Sequence, residues 1–389
     1  MTLTLSDDDT TFRYQLRTFY RTEIPAEIRQ RVADFEEPSR DDLVTVQRIL
    51  NRNGLAVPHW PAEWGGRDWT PMQLTIWRNE LQLAGVPEPL AFNTNMVGPV
   101  IAQFGSQEQK ERFLPATANL DIWWAQGFSE PDAGSDLASL KTRAVRDGDH
   151  YIVSGQKIWT TLAQHADWIF ALVRTDPHVT KQKGISFLLI DLTSPGVTVR
   201  PIELIDGSCE VNEVFFDEVR VPVTGLVGEE NAGWDYAKFL LGLERTGVAK
   251  VGFSKLKLSQ AKAHAAVVPA GSGVLLDDPL FAAKVAELEN ELLALEIVQA
   301  KVALDSESGR PNPMSSLLKL RGSELQQSTT ELLMDAAGGE SLPIGPGRTQ
   351  PTPGSSRAVP TYLNLRKSTI YSGSSEIQRS IIARSILGL

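Results

Sequence analysis

The sequence is poor in the side chains that build disulfides and metal cages. Its single cysteine, Cys209, has no partner for an internal disulfide and cannot form a multi-thiolate metal site within the chain. The five histidines are scattered, and no two have the spacing of paired metal ligands. These absences argue against a disulfide-stabilised scaffold and against a resident metal.

Long apolar runs and an excess of basic charge are also missing. No stretch of about 18 apolar residues is present to span a bilayer, and the start MTLTLSDDDTTFRYQ is acidic, which predicts no signal or transit peptide. Lys and Arg total 38 against 48 Asp and Glu, a net charge of −10. Because a phosphate backbone is bound by a basic surface, this balance disfavours nucleic acid as a partner. We therefore expect a cytoplasmic protein.

The common catalytic signatures do not occur. The sequence has no P-loop, no G-x-G-x-x-G after a predicted strand, no G-x-S-x-G and no H-E-x-x-H. Nucleotide-binding folds of the Rossmann type, serine hydrolases and zinc peptidases therefore have no positive support.

Length and hydrophobicity predict an α+β protein of two to three domains. The 389 residues are 42% hydrophobic, enough to bury large cores. Residues 1–121 carry helix-start signals, and residues 122–225 contain short runs rich in β-branched and aromatic residues. After Gly233 the helical periodicity returns. We predict an N-terminal helical domain (1–121), a central β-domain (122–225) and a C-terminal helical domain (226–389).

Local signals support this division. Ser39 with Asp42 predicts a capping box, and Thr70 before a proline predicts another helix start. The Asp-Gly-Asp turn at 147–149 separates two extended runs, which predicts a β-hairpin. The prolines and glycines of residues 340–360 predict a long irregular loop. A helix-packing seam is predicted from apolar residues three and four apart: Phe281, Val285, Leu288, Leu292 and Leu295.

Three segments present small or hydroxylated residues where predicted elements begin or end. In GFSEPDAGSD (127–136) a ligand can approach backbone N–H groups closely, although a plain turn explains the pattern equally well. QKIWTT (156–161) ends a strand with an aromatic and two hydroxyls, or else with a buried core tryptophan. In YSGSSEIQR (371–379), Ser375 and Gln378 predict a capping box at a helix N-terminus, which favours an anionic or carbonyl-oxygen ligand or is simply a capped helix.

The fourth candidate is a single carboxylate. If FLLGLERTGVAKVGF (239–253) is one helix, Glu244 has only Leu240, Leu241, Gly247 and Val248 as face neighbours. A carboxylate on an apolar stripe either pairs with a distant cation or has its pKa raised by desolvation. A raised pKa suits a general base that abstracts a proton from carbon.

Taken in order, these segments resemble the acyl-CoA dehydrogenase family over nearly the whole chain. GFSEPDAGSDLAS is similar to its first signature, and DAAGG (335–339) with YSGSSEIQR to its second. The chain further resembles the branch that contains the large subunit of pimeloyl-CoA dehydrogenase, in the segments NGLAVPHWPAEWGG and FLLGLERTGVA. The resemblance implies an N-terminal helical domain, a central β-barrel domain and a C-terminal four-helix bundle, with FAD between the β-domain and the C-terminal helices.

The resemblance also implies an activity, partners and site residues. The activity is α,β-desaturation of an acyl-CoA in fatty-acid β-oxidation, with an electron-transfer flavoprotein as acceptor and a homo- or heterotetrameric assembly. Implied substrate contacts come from Ser135, Arg245 and Gly373. Implied FAD contacts come from Phe128, Ser129, Ser135, Trp159, Thr160, Thr161, Gly338, Gly339, Ser374 and Glu376.

Departures from the family pattern shape the remaining expectations. Ser372 stands where many members carry the catalytic glutamate, but a minority branch carries it before an arginine on the earlier helix, which implies Glu244 as the base. The arginine motif that reaches FAD across a dimer is unrecognisable near LKLSQAKAHAAVVPAGSG. A catalytically silent subunit of a heteromeric enzyme and an acyl-CoA oxidase are therefore alternatives. The resemblance to the pimeloyl-CoA dehydrogenase branch suggests a dicarboxylyl-CoA as substrate. Arg245 can pair with the distal carboxylate of such a substrate.

Overall fold

The computed structural model describes residues 5–33, 36–244, 249–305, 312–338 and 355–389, with the backbone alone at 242–244 and 355–357. It contains two compact units. The first unit comprises Met1–Val46, Trp69–Glu88 and Arg245–Leu389, and the second comprises Gln47–Asp68 and Pro89–Glu244. The three sequence ranges given above stay a prediction.

The helices begin where local capping signals occur. Ser39 and Asp42 exchange side-chain-to-backbone hydrogen bonds of 3.2 and 3.0 Å, as predicted. Thr70 caps its helix reciprocally with Gln73. The helices are α1 (Asp7–Glu23), α2 (Ala26–Ala33), α3 (Arg40–Arg52), α4 (Pro71–Leu83), α5 (Gly98–Phe104), α6 (Gln107–Ala118), α7 (Gly233–Glu244), α8 (Val251–Ala265), α9 (Pro279–Asp305), α10 (Ser315–Ala337), α11 (Ser355–Leu365) and α12 (Ser375–Ile382).

The second unit is built on one seven-stranded sheet with the order β1-β4-β2-β3-β7-β6, and β5 pairs with β4. The predicted hairpin is confirmed, because Asp147 pairs with His150 across a turn in which Gly148 has φ +62°. The strands are β1 (Trp124–Gly127), β2 (Arg143–Asp147), β3 (His150–Thr161), β4 (Trp168–Arg174), β5 (Ile185–Asp191), β6 (Val197–Ile202) and β7 (Val211–Pro222). The helix–sheet–helix order expected from the sequence is therefore present.

In the first unit α10 packs against α8, α9, α11 and α12. All five residues of the predicted α9 seam are buried there. A short pair of strands, β8 (Pro269–Ala270) and β9 (Gly273–Val274), links α8 to α9. Among the described residues, no helix is both long and apolar enough to cross a membrane.

The expectation of one continuous helix over residues 239–253 is wrong. Helix α7 ends at Glu244, and α8 begins at Val251 after Lys250, whose φ is +49°. A left-handed residue cannot lie within a right-handed helix. Gly247 lies outside the described residues with the rest of 245–248. The expected helical neighbours Gly247 and Val248 therefore fall beyond what the structure describes.

The prediction of an irregular stretch at 340–360 is wrong at its C-terminal end. Residues 339–354 lie outside the described part of the chain, but α11 already begins at Ser355 and includes Pro360. A proline beyond the first turn removes one helix hydrogen bond. Ala358 and Val359 are buried, and α11 packs along α10, so the burial of apolar surface offsets that loss.

Candidate active site

The GFSEPDAGSD segment follows β1 and is joined to β3 by backbone and side chain. The Ile158 N–H donates to the Ser129 carbonyl at 2.9 Å. The buried Phe128 ring stands edge-on to Phe170 and Phe187, with ring centres 5.8 and 6.3 Å away. Ser129 is half-buried beside it. The two predicted segments at 127–136 and 156–161 thus form one structural feature.

A buried ion pair fastens this loop. Lys157 is fully buried, and its Nζ lies 2.7 Å from Oε1 of Glu130 and 3.2 Å from the Phe128 carbonyl. The Glu130 carboxylate also accepts the N–H groups of Lys141 and Thr142 at 2.6 and 2.9 Å. Burial lowers the pKa of Lys157 to about 8 against the opposing effect of Glu130. Burial alone raises the pKa of Glu130, but Lys157 and the N–H groups outweigh it and hold that pKa below its usual value.

The rest of this loop, apart from the buried Ala133, is exposed. Ser135 is open to solvent, as are Asp132 and Asp136 on either side of it. Asp132 pairs with Lys141 at 3.2 Å, and Asp136 pairs with Lys181 at 2.7 Å. Ser135 is therefore available to a ligand without any rearrangement of the core.

The end of β3 displays Trp159. Its side chain is 57% exposed, and its φ of +60° coincides with a register irregularity between β3 and β7. Thr161 is half-buried, whereas Thr160 is 1% exposed, and its Oγ1 has no hydrogen-bond partner among the described residues. The Thr160 side chain leaves almost no accessible surface for a ligand in this structure, and its expected contact with a cofactor stays a prediction.

The C-terminal segment turns sharply into α12. Ser372 and Gly373 have φ values of +53° and +86°. The predicted capping box of Ser375 with Gln378 is wrong by one residue: Ser374 is the N-cap, accepting the Ile377 N–H at 3.5 Å. The reason is that the two left-handed residues complete the turn earlier, so the helix begins at Ser375.

Other candidate residues lie at the C-terminal end of α10 and the N-terminal end of α12. Glu376 is exposed in the first turn of α12, and its own N–H and the Ser374 hydroxyl lower its pKa. Gly338 terminates α10 with φ +51°. Gly339 lies outside the described residues. The structure places Gly338, Gly373, Ser374 and Glu376 in the first unit and the other described candidates in the second.

The candidate base closes α7, the last helix of the second unit. The backbone of Glu244 ends that helix, while its side chain and Arg245 lie outside what the structure describes. The opposite end of α7 is anchored to the sheet, because the Asn231 N–H donates to Ser186 Oγ at 2.7 Å and the buried Tyr151 hydroxyl donates to Glu230. Burial, followed by the Glu230 carboxylate, raises the pKa of Tyr151 to about 12.

Comparison with known proteins decides the family. The chain matches the acyl-CoA dehydrogenase N-terminal domain over residues 6–121, the middle domain over 125–219 and the C-terminal domain over 231–387. The chain belongs to the acyl-CoA dehydrogenase family. As a member it is a flavin-dependent oxidoreductase with FAD as its cofactor.

Similar proteins within the family include curated and solved examples. The chain is 36% identical to acyl-CoA dehydrogenase IpdE1 of Mycobacterium tuberculosis, covering 86% of this chain and 85% of that protein. It is 30% identical to cyclohexane-1-carbonyl-CoA dehydrogenase of Geobacter metallireducens, covering 73% of each. The ChsE4-ChsE5 complex from Mycobacterium tuberculosis contains a chain with 32% identity and a TM-score of 0.86, covering 100% of this chain and 99% of that one. The steroid ACAD Tcur3481-Tcur3483 matches with 29% identity, a TM-score of 0.88 and the same coverage.

The second unit fits a flavin at the end of β3. Trp159 is far more exposed than its strand neighbours Lys157 and Thr160, both of which are buried. An exposed indole on an otherwise buried strand end offers an aromatic face for a planar ring. Thr161 lies beside it with a hydroxyl that can donate to a ring nitrogen.

Sequence reasoning missed the groups that hold these residues in place. Glu130 and Lys157 occur within two segments that the sequence did single out, but their pairing was not predicted. Each of the two follows a polar residue in the chain, so neither stood out as a charge within an apolar run. Tyr151 and Glu230, separated by 79 positions, carried no local signal.

Proposed function

We propose that this chain desaturates an acyl-CoA thioester between its α and β carbons, giving the trans-2-enoyl-CoA. The α-proton leaves to a protein base, and its C–H electron pair becomes the second bond between the α and β carbons. The β-hydrogen leaves with its own electron pair as hydride. FAD, when bound, supplies the hydride acceptor. The observation that carries this proposal is the exposed Trp159 beside Thr161, on a strand end braced by the Glu130–Lys157 pair.

Glu244 is the proposed base. It ends a helix that is tied to the sheet through Glu230 and Asn231, which immediately precede its N-terminal end. A helix C-terminus carries partial negative charge, which raises the pKa of a carboxylate placed there. A carboxylate with a raised pKa is a better match for proton abstraction near neutral pH. Ser372, in the turn before α12, cannot take this role because a hydroxyl is a far weaker base.

The remaining candidates hold the reactants. Phe128, Ser129, Trp159 and Thr161 are proposed to bind the flavin from the second unit. Gly338, Gly339, Ser374 and Glu376 are proposed to bind the rest of FAD, and Ser135, Arg245 and Gly373 to bind the acyl-CoA. Charge develops on the thioester oxygen as the proton leaves, and a backbone N–H near the Ser372–Gly373 turn is proposed to donate to that oxygen.

A ring-bearing acyl-CoA is the proposed substrate class. One relative is named for a cyclohexane-1-carbonyl-CoA and one solved neighbour is titled a steroid ACAD. An ω-carboxylated acyl-CoA is the second candidate, because Arg245 directly follows the proposed base.

The proposed partners are an electron-transfer flavoprotein, which accepts the electrons, and further subunits. Two solved neighbours are complexes of two differently named chains. We therefore propose a tetramer that includes a second, related chain.

The deciding experiment is anaerobic bleaching of the bound flavin by a panel of acyl-CoAs, with and without the second chain. Linear saturated, ω-carboxylated and cyclohexane-carbonyl thioesters form its three arms. Bleaching, greatest with the ring-bearing thioester, supports the proposal. A flavin that no thioester bleaches in either assembly overturns it in favour of a silent subunit, and hydrogen peroxide formation in air without an acceptor identifies an oxidase instead.

A further inference from the structure

We propose that Glu88 is a positioning residue, which holds the chain immediately after the proposed base by pairing with Lys250. The inference rests on the proposed function of Glu244. The chain leaves the second unit at Glu244 and enters the first at Arg245, so the next described residues, Ala249 and Lys250, set where that connection ends.

The ion pair between Lys250 and Glu88 is partly shielded from solvent. Lys250 Nζ donates to Oε1 of Glu88, and both side chains are only about one-third exposed, at 34% and 31%. Burial alone raises the pKa of Glu88, but Lys250 and the nearby Arg78 outweigh that effect and hold the pKa below its usual value. The pair joins positions 162 residues apart. A half-buried pair is screened less than one in open solvent.

Gln82 links the same carboxylate to α8. Its Nε2 donates to Glu88 Oε1 at 3.2 Å, and its Oε1 accepts the Phe253 N–H at 3.2 Å. Lys250 occupies the N-cap position of α8 but makes no side-chain cap. Gln82, at the end of α4, therefore satisfies one of the otherwise free N–H groups in the first turn of α8.

Two close backbone contacts add to the Glu88–Lys250 pair and the Gln82 hydrogen bonds, and we call these contacts together the clamp. A Cβ on Gly322 of α10 would lie 2.6 Å from the Ala249 carbonyl oxygen and 2.7 Å from its Cα. A Cβ on Gly252 would lie 2.4 Å from the Asn79 carbonyl oxygen of α4. The start of α8 is thus packed against α4 and α10, and Glu88 supplies the carboxylate that pairs with Lys250 there.

This anchoring bears on catalysis because proton abstraction depends on placement. A displacement of about 1 Å at a reacting group can cost about 100-fold in rate. The base lies at the end of one unit, and the chain six positions later is held by Glu88. Weakening the pair is therefore expected to lower the rate of flavin reduction at saturating substrate. The acyl-CoA concentration that gives half of this rate should hardly change.

The test compares Glu88→Gln with Glu80→Gln in the FAD-loaded enzyme. Glu80 lies on α4 and pairs with Arg17 of α1 at 2.6 and 3.0 Å, with no hydrogen bond or ion pair to residues 249–253. Each variant loses one ion pair that is shielded at least partly from solvent, so Glu80→Gln controls for a general loss of stability. We expect amide hydrogen exchange over residues 245–253 to increase several-fold in Glu88→Gln alone. We also expect its flavin reduction to slow about 10-fold, with partial recovery in Glu88→Asp.

Two outcomes overturn the inference. The first is a Glu88→Gln protein whose amide exchange and rate of flavin reduction equal those of the unchanged protein. The second is a Glu80→Gln protein that shows the faster exchange and slower reduction expected of Glu88→Gln. Lys250→Gln removes the opposite partner and must reproduce the exchange result even where Glu88→Gln folds poorly. The exchange is measured without acyl-CoA, so it decides the clamp even where Glu244→Gln retains activity and the proposed base is wrong.

Discussion

Lys157 lies fully buried with its Nζ 2.7 Å from the Glu130 carboxylate, and this pair ties the GFSEPDAGSD loop to strand β3. The two residues are 27 positions apart. Each alone in the interior would be a desolvated charge, which is costly. Lys157 holds the Phe128 carbonyl and the Glu130 side chain, which fixes the backbone around Phe128 and Ser129, the residues proposed to face the flavin.

Lys157→Met is expected to lower the free energy of unfolding by about 3–5 kcal/mol, because it strands a buried carboxylate. The FAD-to-protein ratio should fall with it, since the loop that bears Phe128 loosens. Urea denaturation and the flavin absorbance of purified protein measure the two effects.

The matched control is Lys181→Met, which breaks the exposed pair with Asp136 on the same loop. An exposed pair contributes less than about 1 kcal/mol, so stability and flavin content should hardly change. The double variant Lys157→Met with Glu130→Gln should regain part of the lost stability. A double variant as unstable as the sum of the single ones would show that the two groups do not act as a pair.

The features that could be predicted from sequence are those made by neighbours in the chain. The capping box of Ser39 with Asp42 and the hairpin turn at Gly148 each involve residues two or three positions apart. The α9 seam follows from helical spacing alone. Such features depend on local backbone geometry, which the order of residue types determines.

The features that escaped prediction join distant positions or depend on packing. The pairs of Lys157 with Glu130 and of Lys250 with Glu88 form only once the strands and helices assemble. The early start of α11 at Ser355 likewise reflects tertiary packing, since α11 packs along α10 despite its internal proline. The role of Glu244 itself stays a prediction.

Glu244→Gln is expected to slow anaerobic flavin reduction by about 100- to 10,000-fold, the usual contribution of a general base. Glutamine keeps the size of the side chain but cannot accept the proton. Stopped-flow absorbance with the best acyl-CoA of the panel measures the rate. Glu229→Gln, an exposed acid just before α7, is the control and should reduce normally. Reduction at an unchanged rate in Glu244→Gln would refute its assignment as the base.

Thr160 and Thr161 offer a matched pair of adjacent hydroxyls. Thr160→Val should raise the free energy of unfolding by about 1 kcal/mol, because it removes a buried hydroxyl that has no partner among the described residues. Thr161→Val should leave stability nearly unchanged but alter the rate of flavin reduction and the visible spectrum. Thermal melts and anaerobic reduction distinguish the two. A larger change of the visible spectrum in Thr160→Val than in Thr161→Val would show that Thr160 is the one that contacts the cofactor.

Tyr151 predicts how stability depends on alkaline pH. Burial and Glu230 raise its pKa to about 12 in the folded protein, against an ordinary value near 10. Between these values the unfolded chain releases the phenolic proton while the folded protein keeps it. The unfolded state then binds fewer protons, so stability falls as the pH rises through this window, by about 2–3 kcal/mol in total.

Tyr151→Phe has no proton to release, so its unfolding free energy should lack this contribution. Urea denaturation of both proteins at several pH values from 9 to 12 should show the advantage of the unchanged protein shrinking as the pH rises. Tyr14→Phe, which removes one exposed hydroxyl, is the matched control for the loss of a tyrosine. Parallel curves for Tyr151→Phe and the unchanged protein would mean that burial and the Glu230 contact do not hold the phenol protonated.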